Sequence, residues 1–375
     1  MPKAKNNRVV NFKPFVPKES VRLVVDTLKT TWIGGDGPRV KEFENKLAKL
    51  VGNSNLLALN SGTSALHLAL RLADVKGGEV ISTPMTCFAT NAPIVNEGAT
   101  PVWADIDPES GNIDPNDIEQ KITKKTKAIM IVDWGGNPCD IRAITKIAKK
   151  YRLPVIRDAA QSLGSEYDGK PVGAHCDYVC VSTQAIKIIN TADGGLLITK
   201  RKSDYQRAKS LRWYGIDRDK RVQGKTFWQY PISEAGFKMQ MTDIAASLGL
   251  GQLPHLNKLL SHRRKIASVY NQAIKKSKTL RPQKVLPNAK SNYWMYTVLC
   301  ETKQNRTKLF KALDEINVNA EEGHRRNDLY PVFKSYKKDH LPGVKQFNDT
   351  ELIIPNGYWV TLADASKIAK VLASF

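Results

Sequence analysis

The alternation of short apolar runs with helical stretches between residues 56 and 200 constrains the fold more than any other feature of this sequence. The apolar runs are LLALN at 56–60, EVISTP at 79–84, AIMIVDW at 128–134, PVIRDAA at 154–160 and YVCVST at 178–183, and GGLLITK at 194–200 is a return strand. Consecutive strands separated by helices form a parallel sheet with right-handed crossovers, and helices cover both of its faces. The sequence therefore predicts a three-layer α/β domain with a mostly parallel sheet, in which ligands bind at the carboxyl ends of the strands.

Two helices precede this alternation and a different pattern follows it. SVRLVVDTLKTTW has apolar residues at helical spacing, and Ser20 is suited to cap its start. The loop IGGDGP at 33–38 separates it from a second helix, RVKEFENKLAKLVG. Beyond about residue 250, a long charged helix and a mixture of strand-like and helical patterns predict a smaller α+β domain. We therefore divide the chain into a large domain, residues 1–250, and a small C-terminal domain, residues 251–375.

The composition predicts a protein with a core of ordinary size and no metal. The 375 residues are 41% hydrophobic, which is enough for a core without disulfide or metal support. Five scattered cysteines, without a C-x-x-C pair or a cysteine–histidine cluster, predict reduced thiols and no metal site. No segment approaches the roughly 20 apolar residues of a membrane span, so we expect a cytoplasmic protein without a membrane partner.

The net charge of +22 suggests nucleic acid or small anionic ligands as partners. The lysines, however, are spread in pairs such as Lys124-Lys125 and Lys149-Lys150, without interleaved aromatic residues or a helix-turn-helix signature. This pattern favours a solvated, lysine-rich surface and disfavours a nucleic-acid partner. A basic nucleic-acid-binding protein remains a rival interpretation on the charge alone.

The turn Ser61-Gly62-Thr63-Ser64 lies between a predicted strand and a predicted helix. A glycine-containing turn at a helix start presents free backbone N–H groups and the positive end of the helix dipole, which suits a phosphate. An ordinary helix cap explains the same residues, so the turn alone does not decide between the two interpretations.

Asp158 ends the apolar run PVIRD. A carboxylate at the end of a buried strand costs free energy unless a cation or hydrogen bonds balance it. A pyridinium nitrogen is one such partner, and a carboxylate that caps the next turn is the alternative.

Lys187 follows the run that ends near Ser182, in the string VCVSTQAIKIINTADGG. Its neighbours are apolar, so desolvation would lower the pKa of its amine and make it a nucleophile toward an aldehyde. A surface lysine that passes between apolar neighbours is the alternative. The turn Asp193-Gly194-Gly195 then reverses the chain, either as a plain hairpin turn or to position the residues beside it.

Taken in this order, these residues make the whole chain resemble the sugar aminotransferases of the DegT/DnrJ/EryC1/StrS family. That family belongs to the fold type I, or aspartate aminotransferase, superfamily of pyridoxal-phosphate (PLP) enzymes. The similarity runs through PFVPKESVRLVVDTLKTTWIGGDGPRVKEFE, SGTSALHLAL, TPMTCFATNAPIV, GNPCDIRAI, RDAAQSLGSEYDGKPVG, the Lys187 loop, LRWYGIDR and KMQMTDIAASLGLGQL. The ordered series is specific although its parts are not, and it implies a PLP-transferase fold with PLP as cofactor.

The resemblance also implies roles for single residues. Lys187 matches the catalytic lysine that forms a Schiff base with PLP and moves a proton between substrate and cofactor. Asp158 matches the partner of the pyridine nitrogen, and Gln161 matches the residue that hydrogen-bonds the phenolic oxygen of the ring. The residues that match the phosphate cradle are Gly62, Thr63, Ser64 and Ser182.

Two cofactor-binding positions depart from the family pattern. Gln240 matches a phosphate ligand donated by the neighbouring subunit, where relatives have asparagine, and Lys238 is the alternative match. A donated residue implies a homodimer with shared active sites. Cys87, with Phe88 beside it, stands where many relatives place an aromatic residue that stacks on the cofactor ring.

Three further segments resemble regions that approach the sugar or the nucleotide. They supply the candidate substrate-binding residues Trp32, Gly34, Trp213, Tyr214, His324 and Arg325. Arg325 and its neighbour Arg326 would meet a diphosphate unless they are solvated surface residues. His324 would contact the sugar unless it is structural or exposed.

We therefore expect an aminotransferase that uses Lys187 to move an amino group from an amino acid to a nucleotide-linked keto-sugar. The resemblance implies L-glutamate as donor and an NDP-4-keto-6-deoxyhexose or a 3-keto relative as acceptor, in a ping-pong order. A PLP-dependent sugar dehydratase or a catalytically silent regulatory relative is the rival with the same fold. Sugar 3-dehydratases have histidine at the position of the lysine, so Lys187 argues against that branch.

Overall fold

The computed structural model of the chain describes residues 8–217, 230, 232–336 and 340–375. The described strands are Leu56–Leu59 (β1), Glu79–Ser82 (β2), Thr100–Trp103 (β3), Thr126–Val132 (β4), Val155–Asp158 (β5), Glu166–Tyr167 (β6), Lys170–Pro171 (β7), Tyr178–Ser182 (β8), Gly195–Thr199 (β9), Leu280–Pro282 (β10), Ala289–Lys290 (β11), Tyr296–Cys300 (β12) and Glu351–Ile354 (β13). The described helices are Lys18–Lys29 (α1), Pro38–Val51 (α2), Gly62–Leu72 (α3), Phe88–Asn96 (α4), Pro115–Lys121 (α5), Ile141–Tyr151 (α6), Lys202–Leu211 (α7), Asp243–Leu250 (α8), Leu256–Ile274 (α9), Lys303–Glu315 (α10), Pro342–Thr350 (α11) and Leu362–Ala373 (α12). None of these described helices has the length and apolarity needed to cross a membrane.

A seven-stranded sheet in the order β1-β9-β8-β5-β4-β2-β3 forms the centre of the molecule. Within it, β9 pairs antiparallel with both β1 and β8, and the pairs β2-β3, β2-β4, β4-β5 and β5-β8 are parallel. The glycine-containing return strand predicted from the sequence is β9. The mostly parallel sheet is therefore confirmed.

Helices cover the sheet on both faces. Successive side chains of a strand point to opposite faces, so Ile129 and Ile131 of β4 pack in one core with α2 and α6. Ala128 and Met130 of the same strand pack in the other core with α3 and α7. Because both faces are buried, the strand is apolar at consecutive positions instead of alternating. The predicted three-layer α/β architecture is confirmed.

The C-terminal part has its own antiparallel sheet in the order β10-β12-β13, packed against α9, α10 and α12. Its core includes Tyr270, Val298 and Leu309. This agrees with the α+β character predicted for the C-terminal part. Val9 pairs with Val318, so the N-terminal segment also contacts this part of the fold. The division of the chain at residue 250 stays a prediction.

The start of α1 differs from the prediction. The helix begins at Lys18, with Pro17 at the N-cap position and no side-chain cap, so Ser20 lies inside the first turn. Proline fits the entry to a helix because its φ is fixed near the helical value and it has no N–H to satisfy. Ser20 Oγ instead donates to the carbonyl of Leu248 at 2.7 Å, which ties α1 to α8.

Candidate active site

Two adjacent parallel strands bring the candidate residues to one edge of the large sheet. Asp158 is the last residue of β5, and Ser182 is the last residue of β8. The two strands are hydrogen-bonded neighbours, with Asp158 opposite Cys180. Because parallel strands end at the same edge, the loop that carries Lys187 begins beside Asp158.

The amine of Lys187 lies against an indole ring. Lys187 Nζ is 3.6 Å from the centroid of Trp294, and Trp294 Nε1 donates to the carbonyl of Ile186 at 3.0 Å. Phe12 stacks on the same indole at 5.1 Å between centroids and 29° between planes. Burial lowers the pKa of Lys187 to about 8, against the opposing effects of Asp158 and Cys87. The amine is therefore partly neutral near neutral pH, as a nucleophile requires.

Asp158 is buried, with 5% of its surface exposed, and both of its oxygens accept hydrogen bonds. Thr90 Oγ1 donates to Oδ2 at 2.7 Å and the Ala160 N–H donates to Oδ1 at 3.0 Å. Burial raises the pKa of Asp158, while these two hydrogen bonds and the positive charge of Lys187 oppose the rise. The carboxylate would be stabilised further by a cation in front of it.

The start of α3 is packed tightly against the ends of β8 and β9. A Cβ atom on Gly62 would lie 2.9 Å from the Cβ of Ser182, and one on Gly195 would lie 2.4 Å from the Gly62 nitrogen. Glycine is therefore needed at both positions. Ser61 caps the helix by accepting from the Ser64 N–H at 3.0 Å, and Ser64 Oγ donates to Asn60 Oδ1 at 2.7 Å.

The first turn of α3 presents backbone N–H groups beside Ser182. The first N–H groups of any helix have no partner within the helix. Those of Gly62 and Thr63 precede the capped N–H of Ser64, and they carry the positive end of the helix dipole. This arrangement suits a phosphate group.

Gln161 joins the sheet edge to the C-terminal part. The Gly135 N–H donates to Gln161 Oε1 at 2.7 Å, and Gln161 Nε2 lies 3.3 Å from His324 Nε2. The Trp134 ring meets His324 edge-on, with centroids 5.4 Å apart. Burial and the charge of Lys187 lower the pKa of His324 to about 4. The structure therefore brings His324 together with Lys187 and Gln161.

Cys87 precedes α4 and is exposed. Its charge is among the effects that raise the pKa of Lys187, so Cys87 lies in the neighbourhood of the amine. The neighbouring Phe88 ring is turned away to Tyr330 and Phe333, with centroids 5.3 and 5.7 Å away. Among the described residues, no group of three or more His, Cys, Asp and Glu side chains could hold a metal ion.

Gln240 and Trp213 line a cleft of about 340 Å³ that is separate from the Lys187 site, and we call it the second cleft. Its lining does not include Lys187, Asp158 or Ser182. Gln240 pairs with Leu59 of β1. Lys238 is exposed, with its Nζ 5.8 Å from the centroid of Trp213.

The loop with Trp32 and Gly34 lies close to this second cleft, since Gly35 pairs with Thr242 and Asp243 N–H donates to the Gly34 carbonyl at 2.8 Å. Tyr214 follows Trp213 and contacts its ring at 4.9 Å. Arg218, which ends the string LRWYGIDR, lies outside the described residues.

The two neighbouring arginines have different surroundings. Arg326 forms two hydrogen bonds to Asp328, at 3.1 and 2.7 Å. Arg325 is exposed, with its guanidinium 5.3 Å from the centroid of Tyr330. Asn327 donates to the carbonyl of Thr86 at 2.8 Å, which fixes this segment to the loop that carries Cys87.

Trp294 and Thr90 were not identified from the sequence. Trp294 opens the run WMYTVLC, which has the pattern of a core strand. Thr90 is 68 positions away from Asp158 along the chain. No local pattern distinguishes either residue from an ordinary core or helix residue.

Comparisons with known proteins agree with this geometry. The model of the DegT/DnrJ/EryC1/StrS aminotransferase family matches residues 15–373. The GDP-perosamine synthase of Escherichia coli O157:H7 is 35% identical over 322 residues, which are 86% of this chain and 84% of that protein.

Two solved structures have the same fold over their whole length. The sugar aminotransferase CalS13 from Micromonospora echinospora is 29% identical, with a TM-score of 0.92 over 98% of this chain and 99% of that one. The PLP form of the putative sugar aminotransferase Spr1654 from Streptococcus pneumoniae is 28% identical, with a TM-score of 0.90 over 98% of each chain. The chain therefore belongs to the DegT/DnrJ/EryC1/StrS aminotransferase family.

Proposed function

We propose that this PLP-dependent aminotransferase moves an amino group from an amino acid to a nucleotide-linked keto-deoxysugar, with Lys187 as the residue that binds the cofactor. The observation that carries the proposal is the position of the Lys187 amine. It lies against Trp294, and burial lowers its pKa to about 8 although the carboxylate of Asp158 opposes that shift. A partly neutral amine beside a buried carboxylate suits a lysine that reacts with an aldehyde.

The surrounding side chains have the chemistry that PLP requires. Bound PLP supplies an aldehyde that reacts with amines and a ring that accepts electrons from the carbon next to the amine. Asp158 would hold the pyridine nitrogen, because a cationic N–H balances the burial that raises the pKa of this carboxyl. Gln161 would donate to the ring oxygen through Nε2, since its Oε1 already accepts from Gly135.

The start of α3 would hold the phosphate. The N–H groups of Gly62 and Thr63 and the hydroxyl of Ser182 would bind it, since Gly62 and Ser182 are packed together. Ser64 would act by fixing the turn, because its N–H and hydroxyl are engaged by Ser61 and Asn60.

Lys187 would also move the proton that the reaction requires. As a neutral amine, Nζ would take the proton from the α-carbon of the donor amino acid and pass it to the cofactor. In the second half-reaction it would carry a proton from the cofactor to the sugar carbon. A pKa of about 8 makes both directions accessible near neutral pH.

The substrate class is supported by the relatives and by the charges near the site. A relative at 35% identity is a GDP-perosamine synthase. Arg325 would meet the diphosphate, since it is exposed whereas Arg326 is paired with Asp328. The other proposed substrate-binding residues are Trp32, Gly34, Trp213, Tyr214 and His324. L-Glutamate is the donor that the resemblance implies.

We also propose a homodimer with shared active sites, in which Gln240 or Lys238 reaches the phosphate of the partner subunit. The support is an exposed apolar stripe of Val21, Val25 and Leu28 on one face of α1. Trp32 and Ile33 continue it, at 57% and 45% exposure. A surface of this kind marks an interface more often than a free face. The cytoplasmic location stays a prediction.

Borohydride reduction of the PLP-loaded protein tests the role of Lys187. We expect peptide mapping to place the reduced adduct on Lys187, and Lys187→Ala to carry none. Lys200→Ala, which replaces an exposed lysine, should label as the unmodified protein does. An adduct on another lysine, or none, would overturn the proposal.

Nitrogen transfer separates the aminotransferase from the dehydratase and from a silent relative. We expect ¹⁵N from labelled L-glutamate to appear in the sugar when a nucleotide-linked keto-sugar is supplied. Loss of water from the sugar without incorporation of ¹⁵N would favour the dehydratase. Neither reaction with any keto-sugar would favour the silent relative.

A further inference from the structure

The side-chain amide of Gln161 has a defined orientation. The Gly135 N–H donates to one end of it at 2.7 Å, in buried surroundings. An N–H needs an acceptor, so this end of the amide is the oxygen Oε1. The opposite end is therefore the NH₂ group Nε2, which can only donate.

That NH₂ group faces a ring nitrogen. Gln161 Nε2 lies 3.3 Å from His324 Nε2. Because the amide nitrogen is a donor, His324 Nε2 has to be the acceptor and cannot carry a proton. In a neutral imidazole the proton is then on Nδ1. The surroundings keep the ring neutral, since burial and the charge of Lys187 lower the pKa of His324 to about 4.

Contacts from the large sheet and from the C-terminal part hold the imidazole in this position. The Trp134 ring packs edge-on against it at an interplanar angle of 86°. The Gly323 N–H donates to Glu351 Oε1 at 2.8 Å, and Glu321 pairs with Ile353 of β13. The strand β13 thus places His324 against Gln161 of the large sheet.

We propose that His324 is a positioning residue, whose neutral Nδ1–H tautomer accepts one N–H of Gln161 and so aims the second N–H of that amide into the site. The two hydrogens of an amide NH₂ lie at a fixed angle, so a bond to one sets the direction of the other. The inference rests on the proposed function in one respect only, namely that the second N–H serves the ring oxygen of the cofactor.

The tautomer can be read directly by ¹⁵N NMR of the protein with labelled histidine rings, first without cofactor. The His324 signals are assigned by their loss in His324→Gln. We expect an unprotonated Nε2 and a protonated Nδ1. His175 and His262 are internal references, because their Nε2 atoms lie 2.9 Å from the carbonyls of Tyr167 and Val360 and so carry protons. A protonated Nε2 on His324 would overturn the proposal.

Gln161→Glu tests the contact between the two side chains. One carboxylate oxygen still accepts from Gly135 N–H, and the other then faces His324 Nε2, which must gain a proton. We expect the His324 signals to change to a protonated Nε2 while those of His175 and His262 stay unchanged. Gln272→Glu, at an exposed position in α9, makes the same charge change and should leave all three unaltered. Unchanged His324 signals in Gln161→Glu would count against the proposal.

Cofactor affinity separates positioning from a structural role. His324→Phe keeps an aromatic edge against Trp134 but has no acceptor, and we expect the Kd for PLP to rise about tenfold. His324→Gln offers an amide oxygen and should restore most of the affinity. Equal affinities of the unmodified protein and His324→Phe, or no rescue by glutamine, would refute the positioning role. If borohydride mapping places the cofactor elsewhere, the proposed function fails while the NMR results remain valid.

Discussion

At the carboxyl edge of the sheet, burial moves the pKa values of Lys187 and Asp158 toward each other. It lowers the pKa of the amine to about 8 and raises that of the carboxyl. The charge of each residue partly offsets the shift of the other. A small change in the surroundings of either residue should therefore alter the protonation of its neighbour.

The reactivity of Lys187 should follow this pKa. In the protein without cofactor, we expect the acetylation rate of Lys187 to rise with pH and to level off above about 8, because only the neutral amine reacts. Asp158→Asn removes the carboxylate that raises the pKa of Lys187, so the inflection should move to lower pH. Peptide mass spectrometry measures the rate at each pH. Asp314→Asn, which replaces an exposed carboxylate, should leave the profile unchanged, and an upward move in Asp158→Asn would contradict the argument.

At the scale of elements, the junction of α3, β8 and β9 depends on close backbone approach. The first residue of β9, Gly195, lies under the first residue of α3, Gly62, with no room for a side chain. The same approach presses Gly62 against Ser182 at the end of β8. Three elements distant in sequence thus form one surface, which is the proposed phosphate site.

Gly195→Ala should disturb this surface. The new Cβ would lie 2.4 Å from backbone atoms of Ser61 and Gly62, so the helix or the strand has to move. We expect a loss of about 2 kcal/mol or more in the free energy of unfolding, together with weaker binding of inorganic phosphate. Gly34→Ala is the control, since nothing lies within 4 Å of its Cβ. Urea unfolding and phosphate titration measure both effects, and equal stability of the two variants would contradict this account.

Six of the seven strands of the large sheet could be predicted, because they are largely buried and so appear as local apolar runs. The edge strand β3 was not predicted, since only two of its four residues are buried. β5 and β8 are buried at every position. The edge at which Asp158, Ser182 and Lys187 meet then follows from the parallel order of the strands. The predicted start of α1 was wrong. Ser20 is a residue type that often caps a helix, but Pro17 fixes its own backbone angle and so determines where this helix begins.

Contacts between distant segments could not be predicted. Thr90 donates to Asp158 across 68 positions, and Trp294 donates to Ile186 across 108. A sequence pattern reports the period of an element and its buried face, but not which remote side chain meets that face. The tautomer of His324 likewise depends on a hydrogen bond to Gln161 that is 163 positions away.

At the scale of the whole molecule, the apolar stripe on α1 predicts the effect of a single charge. Val21→Glu places a carboxylate within the stripe, and we expect the dissociation constant of the proposed homodimer to rise at least tenfold. Leu362→Glu is the matched control, because Leu362 is 45% exposed and also lies in the first turn of a helix. A carboxylate in the first turn interacts favourably with the helix dipole, so both variants have the same local effect on helix stability. Light scattering over a range of concentrations measures the difference, and equal association of the two variants would rule out this face.

The stacking of Phe12 on Trp294 links the N-terminal segment to the reactive amine. Trp359 Nε1 donates to the carbonyl of Val10, and Tyr358 OH donates to that of Pro14, so this segment is fastened across the C-terminal part. A protease that cut after residue 14 would remove none of the side chains proposed to bind PLP. It would nevertheless remove Phe12 from the indole that covers Lys187. We therefore expect a trimmed protein to bind PLP more weakly even where it keeps its fold.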